Sequence, residues 1–228
     1  MSAVLYVAEI GSNHEGNPHL ACEMIRQAAN AGASIAKFQF GWTQEAQEGQ
    51  GKTYLKLRHI DRDFAHQIAD YCKDVNIELM ASIWSEEGLE TSRAVDVRRY
   101  KIAYQKRNDG ELLSKVLGQR RQTFVSGGTW SEMTVPIWCV SKYPTYAEDL
   151  VMPAKFGVWY GYSDHHHGIG ACLLAVARGA MYVEKHFTLN KASQTIRDNA
   201  FSATPEEFAE LVRVGHELER VRDAQIVV

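Results

Sequence analysis

Eight short, β-rich runs alternate along the chain with amphipathic stretches, and this alternation restricts the fold more than any other feature. The runs are Val4–Ile10, Ile35–Phe40, Glu78–Ile83, Arg99–Ala103, Thr123–Ser126, Ile137–Ser141, Gly157–Tyr162 and Met181–Phe187. Helices are expected at Pro18–Ala31, Asp63–Val75, Glu86–Ala94, Asp109–Leu117 and Ile169–Arg178, with a last one starting at Thr204-Pro205-Glu206-Glu207. Asn17 is placed to cap the first helix and Gly32 to end it. Strand–helix alternation predicts parallel strands joined by right-handed crossovers. Eight strands can close on themselves, and 228 residues suffice for one such closed sheet. The predicted fold is therefore α/β, a TIM (β/α)8 barrel forming one domain over residues 1–228, with an open doubly wound sheet as the alternative.

One unit is short. Only Gly127–Pro136 separates Ser126 from Ile137, so the fifth crossover helix is expected to be reduced or missing. The sixth helix, near Leu150–Phe156, is short and contains Pro153. The barrel wall should be thin on that side. The Gly-containing stretch Gln47–Lys52 reads as a loop after the second strand.

Composition excludes several classes of function. The formal charge of −3 argues against a nucleic-acid partner held by a general positive field. No apolar run approaches the roughly 18 residues of a membrane span, and the N-terminus lacks the basic start of a signal peptide. Cys22, Cys72, Cys139 and Cys172 form no CxxC pair and read as free thiols. A cytoplasmic protein is the expectation.

Polar residues inside the strands carry the functional signal, because a buried parallel strand should be almost wholly apolar. Glu9 closes strand one, Lys37 and Gln39 lie in strand two, and Lys101 lies in strand four. Ser163, Asp164 and His165 close strand seven, and Glu184, Lys185 and His186 interrupt strand eight. Period-two alternation puts Lys37 with Gln39, and Glu184 with His186, on one face. Charges of both signs in a closed sheet point to a liganded mouth, the alternative being an internal salt-bridge network. His165 and His186 end adjacent strands and could share a divalent metal with Glu9, while Lys37 and Lys101 could clamp a phosphate.

Longer blocks strengthen this picture. Ala8-Glu9-Ile10-Gly11-Ser12-Asn13-His14-Glu15-Gly16 is followed by Lys37-Phe38-Gln39, Tyr100-Lys101-Ile102-Ala103 and Cys139-Val140-Ser141-Lys142-Tyr143-Pro144-Thr145. Gly161-Tyr162-Ser163-Asp164-His165, Glu184-Lys185-His186-Phe187-Thr188-Leu189 and Asp198-Asn199-Ala200-Phe201-Ser202 complete the set. In this order the blocks resemble the sialic acid synthase (N-acetylneuraminate synthase) family, which includes legionaminic and pseudaminic acid synthases. The resemblance implies a barrel enzyme that condenses phosphoenolpyruvate with N-acetylmannosamine or a related N-acetylated aldose. The product would be a nine-carbon 2-keto sugar acid, with phosphate released. It implies catalytic roles for Glu9, Lys37, Lys101, His165 and His186. Lys37, Ser82, Lys101, Ser141 and Ser163 would bind phosphoenolpyruvate, and Gln39, Tyr143 and Asp198 would face the sugar. A divalent metal, Mn²⁺ or Mg²⁺, would sit on His165 and His186, with Glu9 acting through water.

The sequence also departs from the family pattern. Tyr104-Gln105-Lys106 replaces a Ser-Gly-Glu-like turn, Ser141 stands where Asn is common, and Asn199 where His often follows the Asp. The family's C-terminal antifreeze-like domain is not expected in this chain. A separate capping domain and a homodimer through barrel contacts are compatible with that pattern. The alternative function is a catalytically impaired member that binds a sugar or phosphate ligand and needs a partner protein.

Overall fold

The computed structural model describes residues 3–42 and 57–224. Its eight strands are β1 Leu5–Gly11, β2 Ile35–Phe40, β3 Glu78–Ile83, β4 Arg99–Ile102, β5 Thr123–Ser126, β6 Thr134–Cys139, β7 Gly161–Asp164 and β8 Tyr182–His186. They pair in parallel, each with its neighbours in sequence, and β8 closes on β1. The expected TIM barrel is the observed fold. Among the described residues the α-helices are α1 Pro18–Asn30, α2 Arg62–Asp74, α3 Glu86–Ala94, α4 Gly110–Leu117, α5 Gly170–Ala177 and α6 Pro205–Ala224.

Local chemistry sets the helix ends. The Asn17 side chain accepts from the backbone N–H groups of His19 and Leu20, and Asp109 caps α4 in the same way through Leu112. At α6, Thr204 N–H donates to the Glu207 carboxylate, while Glu207 N–H donates to the Thr204 hydroxyl. This reciprocal pair satisfies two donors that the first helical turn would otherwise leave open.

The thin wall is present, and its details differ from the sequence expectation. Residues 127–133 form no helix between β5 and β6. No α-helix spans Leu150–Phe156 either; a short 3₁₀ turn at Ala147–Asp149 is all that forms there. Pro153 has no N–H to continue a helix. Instead, side chains hold this segment: Trp138 Nε1 donates to Val151 O at 2.8 Å, and Arg178 donates to Pro153 O at 3.2 Å.

Two strands are displaced from their expected positions. β6 begins at Thr134, three residues before Ile137, and includes Pro136. The Pro136 carbonyl accepts from Tyr160 N, and its nitrogen falls on the same edge, just before β7 begins. The missing donor therefore costs no ladder bond. β7 starts at Gly161 rather than Gly157, since Gly157 and Val158 lie exposed outside the sheet.

Two apolar cores sandwich the sheet. The larger lies between strands and helices. The smaller fills the lower barrel with Val7, Ile35, Met80, Phe124, Val135, Ile137 and Tyr182, where Phe124 stacks on Tyr182 at 4.9 Å between centroids. This apolar plug leaves only the upper barrel for polar side chains.

Gly161 is required where β7 meets β8, because a Cβ there would overlap the Tyr182 carbonyl. Gly161→Ala is expected to cost about 3 kcal/mol and to lower the melting temperature by roughly 6–12 °C. Gly157→Ala, which meets nothing within 4 Å, should change stability by less than about 0.5 kcal/mol. Equal melting temperatures for the two variants would contradict this packing.

Candidate active site

Strand register brings the charged residues together at the C-terminal ends. Glu9 pairs in register with Lys37 on one side and His186 on the other. Gln39 lies opposite Ser82, Ser82 opposite Lys101, and Ser163 opposite Glu184. The β1 register shifts between Glu9 and Gly11. Gly11 has φ +57°, and a Cβ there would come within 2.8 Å of Glu9 Oε1. A glycine at this bulge leaves the Glu9 carboxylate free to sit in the mouth.

A cavity of about 530 Å³ opens there. Its walls include Glu9, Lys37, Gln39, Ser82 and Lys101 from the first four strands. Tyr143, Ser163, His165, His186 and Asp198 come from the other side. Ser141 is not among the lining residues. β6 ends at Cys139, and Ser141 lies exposed in the loop beyond it.

Glu184 is the hub, although sequence reasoning gave it no role. Its carboxylate accepts from Lys101 Nζ at 3.1 and 3.2 Å and from Ser163 Oγ at 2.7 Å, and it also accepts from the Tyr182 hydroxyl. Lys37 Nζ lies 3.7 Å from it and forms a further ion pair with Glu9. Burial alone would raise the Glu184 pKa, but Lys101 and Lys37 outweigh it and hold the carboxyl well below the usual range. Burial, reinforced by Lys101, brings Lys37 down to about 7 despite the opposing Glu184 charge. The available signal was period-two alternation, which puts Glu184 on the same face as His186.

The two histidines are neutral. Burial lowers His165 to about 4 and His186 to about 3. His165 Nδ1 lies 3.0 Å from the Val140 carbonyl and so carries the proton, which leaves Nε2 with its lone pair. His186 Nδ1 is buried with no hydrogen-bond partner. Their ring centroids are 5.7 Å apart. The lone pair of His165 Nε2 and the unpartnered Nδ1 of His186 are the imidazole groups that would hold a cation here. The carboxylate does not join them directly, since Glu9 faces Lys37 and no set of three or more His, Cys, Asp or Glu side chains among the described residues could hold a metal.

Trp42, Arg58, Trp84 and Arg197 in the wall were not anticipated. Trp42 and Trp84 lie 5.4 Å apart, with the Arg58 guanidinium 4.2 Å over Trp42. Arg197 lies 5.7 Å over Tyr143. Tyr104, Gln105 and Lys106 also line the cavity on a 3₁₀ turn. The Tyr104 ring packs so closely on Gly127 that a Cβ at residue 127 would collide with it. Lys106 pairs with Asp109 at 3.5 Å. These aromatics and arginines come from loops, where no strand periodicity marks them. The loop Gln47–Lys52 lies outside the described residues.

A sequence model of the NeuB family matches residues 24–137 and 131–226. The chain belongs to the NeuB family. It is 32% identical to human N-acetylneuraminate-9-phosphate synthase over 94% of this chain and 70% of that one. It is 27% identical to pseudaminic acid synthase of Campylobacter jejuni, over 92% of this chain and 72% of that protein. The crystal structure of N-acetylneuraminic acid synthetase from Leptospira borgpetersenii, in complex with citrate, superposes with a TM-score of 0.87. It is 29% identical, and the match covers 96% of this chain and 85% of that one. No helix among the described residues is long and apolar enough to cross a membrane.

Proposed function

We propose that this NeuB-family barrel condenses phosphoenolpyruvate with the open-chain aldehyde of an N-acetylated aldose such as N-acetylmannosamine. The product is a nine-carbon 2-keto sugar acid. One observation carries this reading: two buried lysines, Lys37 and Lys101, share a cavity with two neutral imidazoles, His165 and His186. The lysines suit a small polyanion, and the imidazoles suit the cation that activates an aldehyde. The synthase names of the relatives support the same class of reaction.

In the reaction, C3 of phosphoenolpyruvate forms a bond to the aldehyde carbon, and the aldehyde oxygen takes a proton. Water adds at C2, the C2–O bond to phosphate breaks, and the 2-keto group forms as phosphate departs. Lys37 and Lys101 hold the phosphate and carboxylate, with the Ser82 and Ser163 hydroxyls nearby. Gln39, Tyr143 and Asp198 orient the sugar. Glu184, ionised beneath the lysines, keeps both ammonium groups fixed. A divalent ion, Mn²⁺ or Mg²⁺, held by His165 and His186 would supply Lewis acidity at the aldehyde oxygen.

The test pairs binding with turnover. Titration with Mn²⁺ should reveal one site that is lost in both His165→Ala and His186→Ala. Phosphate release from phosphoenolpyruvate with N-acetylmannosamine should stop on chelation and fall at least ~10³-fold in either variant. Turnover that ignores both chelator and variants would sink the reading. The packing of Tyr104 against Gly127 favours a second reading, in which the altered turn leaves a site that binds phosphoenolpyruvate without turning it over. Binding with no phosphate release from any N-acetylated hexosamine would select it.

A further inference from the structure

A second charged cluster lies on the other face of β7 and β8, away from the cavity. Lys185 falls between Glu184 and His186, so alternation points it outward, toward α5. Asp164 follows Ser163 in the same way. The two form an ion pair at 2.8 Å with both side chains fully buried, and neither lines the cavity. A buried ion pair is weak support for stability, since desolvation can cancel its attraction. What it grips is more informative.

The pair holds both polar groups of the same backbone residue. Asp164 Oδ1 accepts from His166 N at 3.0 Å, and Lys185 Nζ donates to His166 O. Tyr162 OH donates to the same Asp164 oxygen at 2.9 Å, fixing the carboxylate. The next links run toward the cavity. His166 Nδ1 lies 2.9 Å from Thr145 O, and Thr145 N donates to His165 O at 2.9 Å. The ring of Tyr143, two residues before Thr145, rests on His165 with centroids 3.9 Å apart. The backbone on both sides of His165 is thus held from outside the barrel.

We infer that Asp164 and Lys185 are positioning residues, which aim His165 and the Tyr143–Thr145 loop into the cavity by clamping residue 166. They touch neither substrate nor any reacting atom. The inference rests on the reading of His165 as a residue of the reacting site.

The decisive variant is the double substitution Asp164→Asn with Lys185→Met, which removes both charges and strands neither. The substituted amide can still accept from His166 N, but the grip on His166 O is gone. The double variant should fold, with kcat down about 30-fold or more and the phosphoenolpyruvate KM within about threefold. In the same variant the amides of Thr145 and His166 should exchange at least about tenfold faster, while those of β2 and β3 stay protected. Tyr6→Phe removes the buried bond from Tyr6 OH to Glu219, 2.7 Å long and away from the cavity. As a control it should lower stability without changing kcat. A folded double variant with wild-type kcat, or one whose exchange rises uniformly, would overturn the inference. Should the wild type show no condensation, the exchange at Thr145 and His166 and the NMR signal of the His165 ring still decide it. Unchanged values there would refute the clamp, and shifted ones would uphold it while the reaction assignment alone fails.

Discussion

Lys101→Met and Glu184→Gln should move phosphoenolpyruvate affinity in opposite directions. The Lys101 ammonium and the Glu184 carboxylate are within 3.2 Å in a buried site, with Lys37 at 3.7 Å from the same carboxylate. Removing the ammonium deletes an anion ligand and leaves the carboxylate facing the incoming phosphate. Lost charged hydrogen bonds of about 1.5–3 kcal/mol imply binding weaker by roughly 10- to 100-fold. Removing the carboxylate's charge frees Lys101 and takes away one of the two carboxylates facing Lys37, so Glu184→Gln should bind phosphoenolpyruvate at least as tightly as the wild type. Its turnover should still fall, by about 10²-fold, because the lysines lose the group that fixes them. Each variant breaks a buried pair and should lose about 3–5 kcal/mol of stability, or roughly 10 °C in melting temperature. Calorimetric titration at pH 6 on the folded proteins gives the affinities. Equal or tighter binding by Lys101→Met would show that the lysine pair is not the anion site.

Strand patterning made the charges on strands legible, whereas Tyr143 and Asp198, outside the strands, were reached through the resemblance alone. A charge in a parallel strand conflicts with burial on both faces, so Glu9, Lys37, Lys101 and His186 stood out before any coordinates. Alternation then assigned their faces, and the register put Glu9 beside both Lys37 and His186. Glu184 obeyed the same rule, but its importance comes from converging partners on β4, β7 and β8, which no local pattern encodes. Ser141 was assigned by resemblance alone, and the end of β6 at Cys139 leaves it outside the mouth. Strand ends failed for a related reason. Pro136 suggests a boundary by propensity, yet the neighbouring edge asks no donor of it. The β5–β7 wall, lacking helices, carries no 3.6-residue rhythm from which to place its turns.

Acid should unfold this protein partly through one histidine buried in the core just beyond β1. His14 follows β1 and is fully buried, edge-on to Phe64 with centroids 5.1 Å apart. Its Nδ1 accepts from Gly16 N at 3.1 Å. Burial, with Arg58 nearby, lowers its pKa from 6.5 to about 3. Between those values the unfolded chain holds a proton there that the folded chain does not. Unfolding therefore takes up a proton, and stability is lost as pH falls below about 6.5, reaching about 2 kcal/mol by pH 5. His165 and His186 are lowered in the same direction and add to the acid loss. They are present in both proteins when the wild type is compared with His14→Asn, so their contribution cancels. Asn can accept from Gly16 N but cannot take up the proton. The variant should be less stable at pH 8, by about 1–2 kcal/mol of lost ring packing. Below pH 6.5 its stability should fall less steeply, by up to about 1.4 kcal/mol per pH unit. The wild type should thus lose its advantage as acid is added, with the two curves meeting near pH 5 in urea titrations. Parallel curves from pH 8 to pH 4.5 would mean that His14 is protonated as readily in the fold as in the open chain.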